Sequence, residues 1–161
     1  MLNNDLSQQI KRNFPYKPTE EQENAVKSFA EFLFSPSADS VFLMKGYAGT
    51  GKTTLTSALV RTLDSLQRKV ILLAPTGRAA KVFSGYAEHP AYTIHKKIYR
   101  QKVFSNETDN FVANQNLHRN TLFIVDEASM IANEDFSGGH FGSGRLLDDL
   151  VQYVYNGLVA G

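Results

Sequence analysis

The feature that most constrains this chain is a glycine-rich turn set between a short apolar run and a helical pattern. The turn reads Gly46-Tyr-Ala-Gly-Thr-Gly51-Lys52-Thr53 and matches G-x-x-x-x-G-K-S/T at every fixed position. Val41–Met44, before it, is wholly apolar, as in a strand buried on both faces, and leucines recur at helical spacing after it. Val70–Ala74 has the composition of a second buried strand. These segments together predict a βαβ unit with parallel strands.

This turn has the residue types that hold the phosphates of a nucleotide. Glycines let backbone N–H groups point at phosphate oxygens, and the helix that follows presents its positive end to the same anion. Lys52 would neutralise the β and γ phosphates, and the Thr53 hydroxyl would bind Mg²⁺. We therefore predict ATP and Mg²⁺ as cofactors; a fortuitous glycine turn is the disfavoured alternative. The predicted loop residues are Gly46, Tyr47, Ala48, Gly49, Thr50, Gly51, Lys52, Thr53 and Thr54.

An acidic pair follows a third apolar run, Leu122–Val125. Asp126, at the carboxyl end of this predicted buried strand, is where an Mg²⁺ ligand belongs. Glu127 is suited to orient or deprotonate the attacking water. The alternative is an acid pair stabilised by a helix N-terminus. We predict nucleotide hydrolysis with Lys52 and Glu127 as catalytic residues, and the sequence lacks the Asn-Lys-x-Asp pattern of guanine-specific enzymes.

Composition places the chain among globular proteins. It has 161 residues, which suits one domain, and no cysteine, which excludes disulfide scaffolds, thiolate metal sites and cysteine nucleophiles. No apolar stretch has the length of a membrane helix, and the first residues lack the pattern of a secretory signal. We expect a soluble, cytoplasmic protein with no membrane partner.

Charge is distributed unevenly along the chain. The segment from Arg78 to Lys102 contains six basic residues and one acid, whereas residues 103–161 contain two basic residues and eight acids. Such a segment can bind phosphates although the net charge is only +1. A solvated helix face is the alternative explanation.

Local patterns predict the remaining elements. Thr19-Glu-Glu-Gln22 is a capping box that opens a helix. Thr93–Arg100 is predicted as a helix, and Arg145–Tyr155 as an amphipathic one. The polar segment Gln101–Asn120 is predicted to be an exposed hairpin or a disordered insertion.

Four segments resemble RecD-like superfamily 1B DNA helicases, in the order seen in that family. They are Gly46–Thr53, Ala74–Lys81, Thr93–His95 and Val125–Met130. The similarity extends from about residue 14 to residue 155. It implies an α/β fold of the RecA-like P-loop NTPase type, a three-layer αβα arrangement with a mainly parallel sheet. It also implies an ATP-dependent DNA helicase that moves 5′ to 3′ along its partner, single-stranded DNA.

The resemblance assigns roles to individual residues. Gln22 resembles the family's adenine-reading glutamine, and the alternative is that it only caps its helix. For Thr93 and His95 the alternatives are a helix cap and a packed ring. The DNA-binding residues that the resemblance implies are Thr76, Gly77, Arg78, Lys81, Thr93 and His95.

The resemblance also bears on domain organisation. Residues 96–120 lie where the family places a hairpin that splits the duplex; Phe104 or Phe111 would be its wedge, and ordinary hairpin packing is the alternative. The family's Gly-Asp-x-x-Gln-Leu-Pro segment and second motor domain are not found after Tyr155. We therefore interpret residues 1–161 as a single, truncated RecA-like ATP-binding domain with an incomplete sheet. The second motor domain, which would supply an arginine to the phosphoryl group, is expected to be missing.

Two other functions stay open at this point. One is a DNA-independent P-loop ATPase or kinase, which predicts turnover unaffected by DNA. The other is a non-catalytic nucleotide- or DNA-binding module, which predicts binding with negligible turnover.

Overall fold

The computed structural model describes residues 2–35, 37, 39–101, 111–133 and 142–156. The chain divides into two compact units, residues 1–69 with 86–89 and residues 70–85 with 90–161. The helices are α1 (Leu2–Arg12), α2 (Glu20–Leu33), α3 (Lys52–Ser65), α4 (Gly77–Ala87), α5 (Ile94–Ile98) and α6 (Leu146–Asn156). The strands are β1 (Lys69–Ala74), β2 (Ala91–Thr93), β3 (Tyr99–Gln101), β4 (Phe111–Ala113) and β5 (Thr121–Val125).

The first unit is built on α1, α2 and α3, with α1 packed against the other two helices. Leu6 and Ile10 of α1, four residues apart and so on one helix face, are both buried. Buried apolar residues of α2 and α3 complete this core: Val26, Phe29, Ala30, Leu55, Ala58, Leu59, Val60 and Leu63.

The capping box predicted at the start of α2 is confirmed. Thr19 Oγ1 accepts a hydrogen bond from Gln22 N at 3.2 Å, and Gln22 Oε1 accepts one from Thr19 N at 3.0 Å. Two backbone donors that α2 itself leaves unpaired are thereby satisfied, which fixes the first turn of the helix.

The strand predicted at Val41–Met44 is not formed, so the βαβ unit predicted around α3 is wrong in this respect. Phe42 packs with its ring 5.6 Å from that of Phe29, whereas Val41 and Leu43 are 71% and 65% exposed. A strand buried on both faces needs paired neighbours and apolar cover on each side. Here only alternate side chains are covered, and the segment forms no ladder with any described residue.

The second unit contains a three-stranded sheet in the order β2-β1-β5. β1 and β2 are parallel, with Leu72 opposite Ala91 and Ala74 opposite Thr93, and α4 connects them. The parallel α/β arrangement that the sequence predicts is therefore present here. β1 is buried from Val70 onward, as predicted.

β5 departs from the prediction of a fully buried strand. Each of its five residues is only partly buried. β5 lies at an edge of the described sheet, next to β1 alone, and an edge strand lacks the cover of a second neighbour.

Within residues 96–120, β3 and β4 form an antiparallel pair, as the predicted hairpin requires. Residues 102–110, and with them Phe104, lie outside the described part of the chain. Phe111 is partly buried against an apolar cluster, the packing that the alternative interpretation predicts. The buried members of that cluster are Ile71, Leu73, Ile94, Ile98, Tyr99, Leu150 and Tyr153.

α5 is shorter than the predicted helix Thr93–Arg100. Thr93 is its N-cap, since the Thr93 hydroxyl accepts from Lys96 N, and Tyr99–Gln101 pairs as a strand instead. The amphipathic helix predicted at Arg145–Tyr155 is confirmed as α6. Among the described residues, no helix combines the length and the apolar character that crossing a membrane requires.

Candidate nucleotide site and nucleic-acid interface

The glycine-rich loop of the first unit has a backbone that only glycine adopts easily. Gly49 and Gly51 have φ angles of +79° and +82°, in the left-handed region. A Cβ on Gly46 would lie 2.7 Å from Thr50 Oγ1, and one on Gly51 would collide with Gln22 Nε2. The local backbone thus favours glycine at Gly51, and a side chain at Gly46 would displace the Thr50 hydroxyl.

The ammonium group of Lys52 lies at this loop. Its Nζ donates to the carbonyl oxygens of Gly46 and Tyr47, the latter at 2.7 Å, and Thr50 Oγ1 donates to the same Tyr47 oxygen at 2.7 Å. α3 begins at Lys52 without a side-chain cap, so the N–H groups of its first turn are available to an anion. These residues fit a bound phosphate chain.

The hydroxyls that follow Lys52 differ in their surroundings. Thr53 is exposed, and its hydroxyl makes no hydrogen bond with another described residue. Thr54 Oγ1 accepts from the Tyr16 hydroxyl at 3.1 Å. Mg²⁺ in nucleotide sites is bound by one or two protein groups together with phosphates, so a free hydroxyl of this kind suits it. Within the described ranges, no three His, Cys, Asp or Glu side chains form a group that could hold a metal ion.

Gln22 combines two contacts in one buried amide. Only 5% of the residue is exposed; Oε1 completes the capping box, and Nε2 donates to the Gly51 carbonyl oxygen at 3.2 Å. The capping interpretation is confirmed, and the sequence did not predict the contact with Gly51. Adenine recognition stays a prediction, for which one amide hydrogen and one oxygen lone pair remain.

The acidic pair belongs to the second unit, whereas Thr53 belongs to the first. Asp126 N donates to Leu73 O at 3.0 Å, which extends the contact between β5 and β1, and Asp126 Oδ1 accepts from Glu127 N at 2.9 Å. Glu127 is exposed and has a φ of +54° at the start of a three-residue 3₁₀ helix, Ala128–Met130. A left-handed conformation costs a non-glycine residue about 1–2 kcal/mol. The turn therefore holds the Glu127 carboxylate outward at a cost to stability.

A groove in the second unit brings together two of the segments predicted to bind DNA. It has a volume of about 520 Å³ and is lined by residues of α4, β2 and α5 that include Gly77, Lys81, Thr93 and Lys96. We call it the basic groove. Gly77 and Thr93 are far apart in sequence, and the parallel pairing of β1 with β2 places the ends of both strands at the same edge of the sheet.

The hydroxyls of both segments cap helices. Thr76 Oγ1 accepts from Ala79 N at the start of α4, and Thr93 Oγ1 accepts from Lys96 N at the start of α5, each at 3.1 Å. The capping alternative for Thr93 is therefore confirmed. Contact with DNA stays a prediction for both threonines, since a capping hydroxyl still has a proton to donate.

The basic side chains near the groove are exposed. Arg78, Lys81 and Lys96 form no ion pair with any described residue. His95 behaves differently: it is half-buried, its ring centroid lies 5.7 Å from that of Tyr99, and burial lowers its pKa below 6.5. Burial thus favours the neutral ring, and the packed-ring alternative describes its surroundings.

Two features of the second unit were not singled out from the sequence. Tyr92 lines the basic groove, and Lys97 Nζ lies 5.6 Å from its ring centroid. The Tyr99 hydroxyl donates to Asp149 Oδ2 at 2.6 Å, and burial followed by this bond raises the pKa of Tyr99. Tyr92 directly precedes the Thr93-Ile-His95 pattern, which is the one signal that could have indicated it.

Comparison with known proteins decides the family. The family model described as AAA domain matches residues 17–138, more than half of the chain. The chain belongs to the AAA domain family. This membership confirms the predicted P-loop NTPase fold, and it implies nucleotide binding.

The relatives of this AAA domain include a conjugation protein and a DNA helicase. It is 33% identical over 107 residues to the multifunctional conjugation protein TraI of Escherichia coli, covering 62% of this chain and 6% of TraI. It is 37% identical over 90 residues to the ATP-dependent DNA helicase dda of Enterobacteria phage T4, covering 54% of this chain and 20% of that helicase. An uncharacterized protein of Methanocaldococcus jannaschii is 28% identical over 149 residues, 86% of this chain and 12% of its own length.

The chain thus spans one fifth or less of the length of these relatives. The resemblance to superfamily 1 helicase motor domains is confirmed at the level of the family, and the RecD-like type stays a prediction.

Proposed function

We propose that this AAA domain is the ATP-binding motor domain of a DNA helicase of the RecD-like type, which moves 5′ to 3′ on single-stranded DNA. The observation that carries the proposal is the basic groove, because two segments predicted separately to bind DNA line it. Its lysines Lys81 and Lys96 form no ion pair with any described residue. Names of relatives support the class, since one is an ATP-dependent DNA helicase. We further propose that the protein acts in the cytoplasm, where it meets DNA and ATP.

The nucleotide half of the proposal rests on the loop from Gly46 to Thr54. Its backbone N–H groups and the start of α3 would receive the phosphates, and Lys52 would exchange its carbonyl partners for phosphate oxygens. Thr53 and Asp126 are the residues that we propose as Mg²⁺ ligands, and the ion would supply positive charge against the phosphates. Gln22 would direct its remaining amide hydrogen to adenine.

Hydrolysis requires a group that orients water, and we assign this to Glu127. Its carboxylate is exposed and held outward by the left-handed turn after Asp126. A water positioned by such a carboxylate would attack the γ phosphate in line with the leaving oxygen. A second motor domain would supply the arginine that stabilises the transferring phosphoryl group, an effect typically worth 10³–10⁵ in rate.

The DNA half of the proposal rests on the residues around α4 and α5. Gly77 N–H, the Thr76 hydroxyl and Arg78 would contact backbone phosphates, and Lys81 adds charge from the next turn of α4. Thr93 and His95 would contact the DNA strand from α5. Because burial favours its neutral form, His95 would act by hydrogen bonding or ring contact.

The test combines nucleotide binding, DNA binding and ATP hydrolysis. For this chain we expect Mg-ATP binding by calorimetry and binding of a labelled single strand that weakens steeply with salt. For a form of the protein with both motor domains we expect hydrolysis stimulated by that strand. Lys81→Ala should weaken DNA binding and reduce the salt slope by about 1, without changing ATP binding. Lys45→Ala, in an exposed lysine beside the phosphate loop, is the control for general loss of charge.

Two outcomes would contradict the proposal. Hydrolysis that does not respond to DNA would favour the independent ATPase or kinase. Binding without any hydrolysis, also when a second motor domain is present, would favour the non-catalytic module.

A further inference from the structure

The basic groove contains an aromatic ring, that of Tyr92, which is 40% exposed. Tyr92 lies opposite Leu73 in the parallel pairing of β2 with β1, so the backbone that carries the ring is fixed. Lys97 Nζ lies 5.6 Å from the ring centroid, within the reach of cation–π attraction. The ring is thus oriented by backbone and cation, and it is still accessible from the groove.

Positively charged side chains line the groove that contains this ring. Lys81 enters the groove from α4 and Lys96 from α5. Both are exposed, and neither forms an ion pair within the described part of the chain. A nucleotide has an anionic phosphate and a base with a π-face. Ammonium groups beside an aromatic ring can therefore bind both parts of it.

The lining of the groove also leaves room beside the ring. Gly77 and Gly85 belong to this lining, and a Cβ added at either would meet no heavy atom within 4 Å. Neither glycine has a positive φ. The local fold does not require glycine at these two positions, so the missing side chains chiefly widen the groove.

We propose that Tyr92 is a stacking platform for one unpaired base of the bound strand, while Lys81, Lys96 and Lys97 hold the neighbouring phosphates. This inference rests on the proposed function, and it names the residue that distinguishes single-stranded from duplex DNA. In a duplex both faces of a base are covered by its neighbours, so stacking on Tyr92 requires a base that has left the helix. Every base has a π-face, so the contact selects for unpaired DNA and is tolerant of sequence.

The test compares DNA probes that differ only in their bases. Binding to the full chain is measured by fluorescence anisotropy with three labelled probes of about 12 nucleotides, within the range of site sizes for single strands. They are oligothymidylate, an abasic sugar-phosphate strand of the same length, and a duplex. The variants are Tyr92→Leu, Tyr92→Phe and Lys96→Ala. Leucine keeps an apolar side chain at this half-exposed position, and a thermal melt of each variant verifies the fold.

Stacking predicts a specific pattern of affinities. Tyr92→Leu should weaken binding of oligothymidylate about 5- to 100-fold and leave the abasic strand unchanged. Tyr92→Phe keeps the ring, so its affinities for oligothymidylate and for the abasic strand should lie within about twofold of those of the original chain. Lys96→Ala should weaken both single strands equally, because it acts on phosphates common to both.

Three results would overturn the inference. Tyr92→Leu could bind oligothymidylate as tightly as the original chain, or it could weaken the abasic strand equally. In either case Tyr92 is not a stacking residue, and the proposed function still stands on binding by the original chain. If the original chain binds neither single strand, the proposed function itself fails, and the inference fails with it.

Discussion

Gln22 Nε2 donates to the carbonyl oxygen of Gly51 at 3.2 Å, which joins the first turn of α2 to the residue that precedes α3. The same amide accepts from Thr19 N, so one side chain connects the helix cap to the phosphate loop. Gly51 is left-handed, which favours glycine, and a Cβ there would displace the Gln22 amide from its contact. The position of the loop therefore depends on Gln22.

Gln22→Ala is expected to weaken Mg-ATP binding and to lower stability by about 1 kcal/mol, since it removes the loop contact and half of the capping box. If Gln22 also reads adenine, the variant should lose more affinity for ATP than for GTP. Thr19→Ala is the matched control, because it removes the hydroxyl cap and leaves both amide contacts in place. Calorimetric titrations with ATP and GTP measure these affinities. If Gln22→Ala loses the same affinity for both nucleotides, Gln22 positions the loop and does not read adenine.

Lys52→Ala should abolish measurable Mg-ATP binding and leave the fold intact. Among the described residues, the Lys52 ammonium contacts only carbonyl oxygens of its own loop. Its loss should therefore remove the proposed phosphate neutralisation and no core packing. The expected change in unfolding free energy is within about 0.5 kcal/mol. A calorimetric titration in which Lys52→Ala binds Mg-ATP as tightly as Lys45→Ala would contradict the phosphate-loop interpretation.

The elements that the sequence predicts correctly are those specified by local chemistry. The capping box at Thr19, the helix after the glycine loop and the buried run of β1 need no distant partner to be identified. The strand predicted at Val41–Met44 is wrong because burial of a strand depends on neighbouring elements, which the composition of the segment does not reveal. An alternating strand pattern could not mark Tyr92 as a groove residue, because β2 is only three residues long.

Backbone conformation at the candidate site was equally invisible in the sequence. Glu127 is left-handed although glutamate has no preference for positive φ, so nothing in the Asp126-Glu127 pair indicated the turn. The hydrogen bond from Gln22 to Gly51 joins residues 29 positions apart and follows from packing of helices, not from either pattern alone.

Two substitutions at Glu127 separate its conformation from its chemistry. Glu127→Gln should keep Mg-ATP binding and remove hydrolysis in a form of the protein with both motor domains, because the amide is no longer basic. Glu127→Gly should also remove hydrolysis, yet raise unfolding free energy by about 1 kcal/mol, since glycine adopts the φ of +54° without strain. Steady-state hydrolysis and denaturant unfolding measure the two effects. Turnover of Glu127→Gln within about twofold of the original would exclude Glu127 as the group that activates water.

Asp149 is expected to make the second unit sensitive to acid. Burial alone would raise the pKa of this carboxyl, but hydrogen bonds from Ser143 and Tyr99 outweigh it, and the pKa is lowered. A carboxyl whose folded pKa lies below its ordinary value of 3.8 stabilises the fold fully above that value. This stabilisation is lost as pH falls through the folded pKa.

Asp149→Asn should therefore lower the melting temperature at pH 6. Between pH 6 and pH 3, about the window where carboxyls titrate, its melting temperature should fall less than that of the original chain. Asp148, one position earlier on α6, lacks the bonds to Ser143 and Tyr99, so Asp148→Asn is the matched control for loss of one carboxylate. Tyr99→Phe should reproduce part of the effect, because it removes one of the donors that hold the carboxylate charged. Thermal melts of the four proteins across this range provide the measurement. The melting temperatures of Asp149→Asn and Asp148→Asn could instead be equally lowered at pH 6 and fall equally between pH 6 and pH 3. In that case the hydrogen bonds to Asp149 do not set the acid response of this unit.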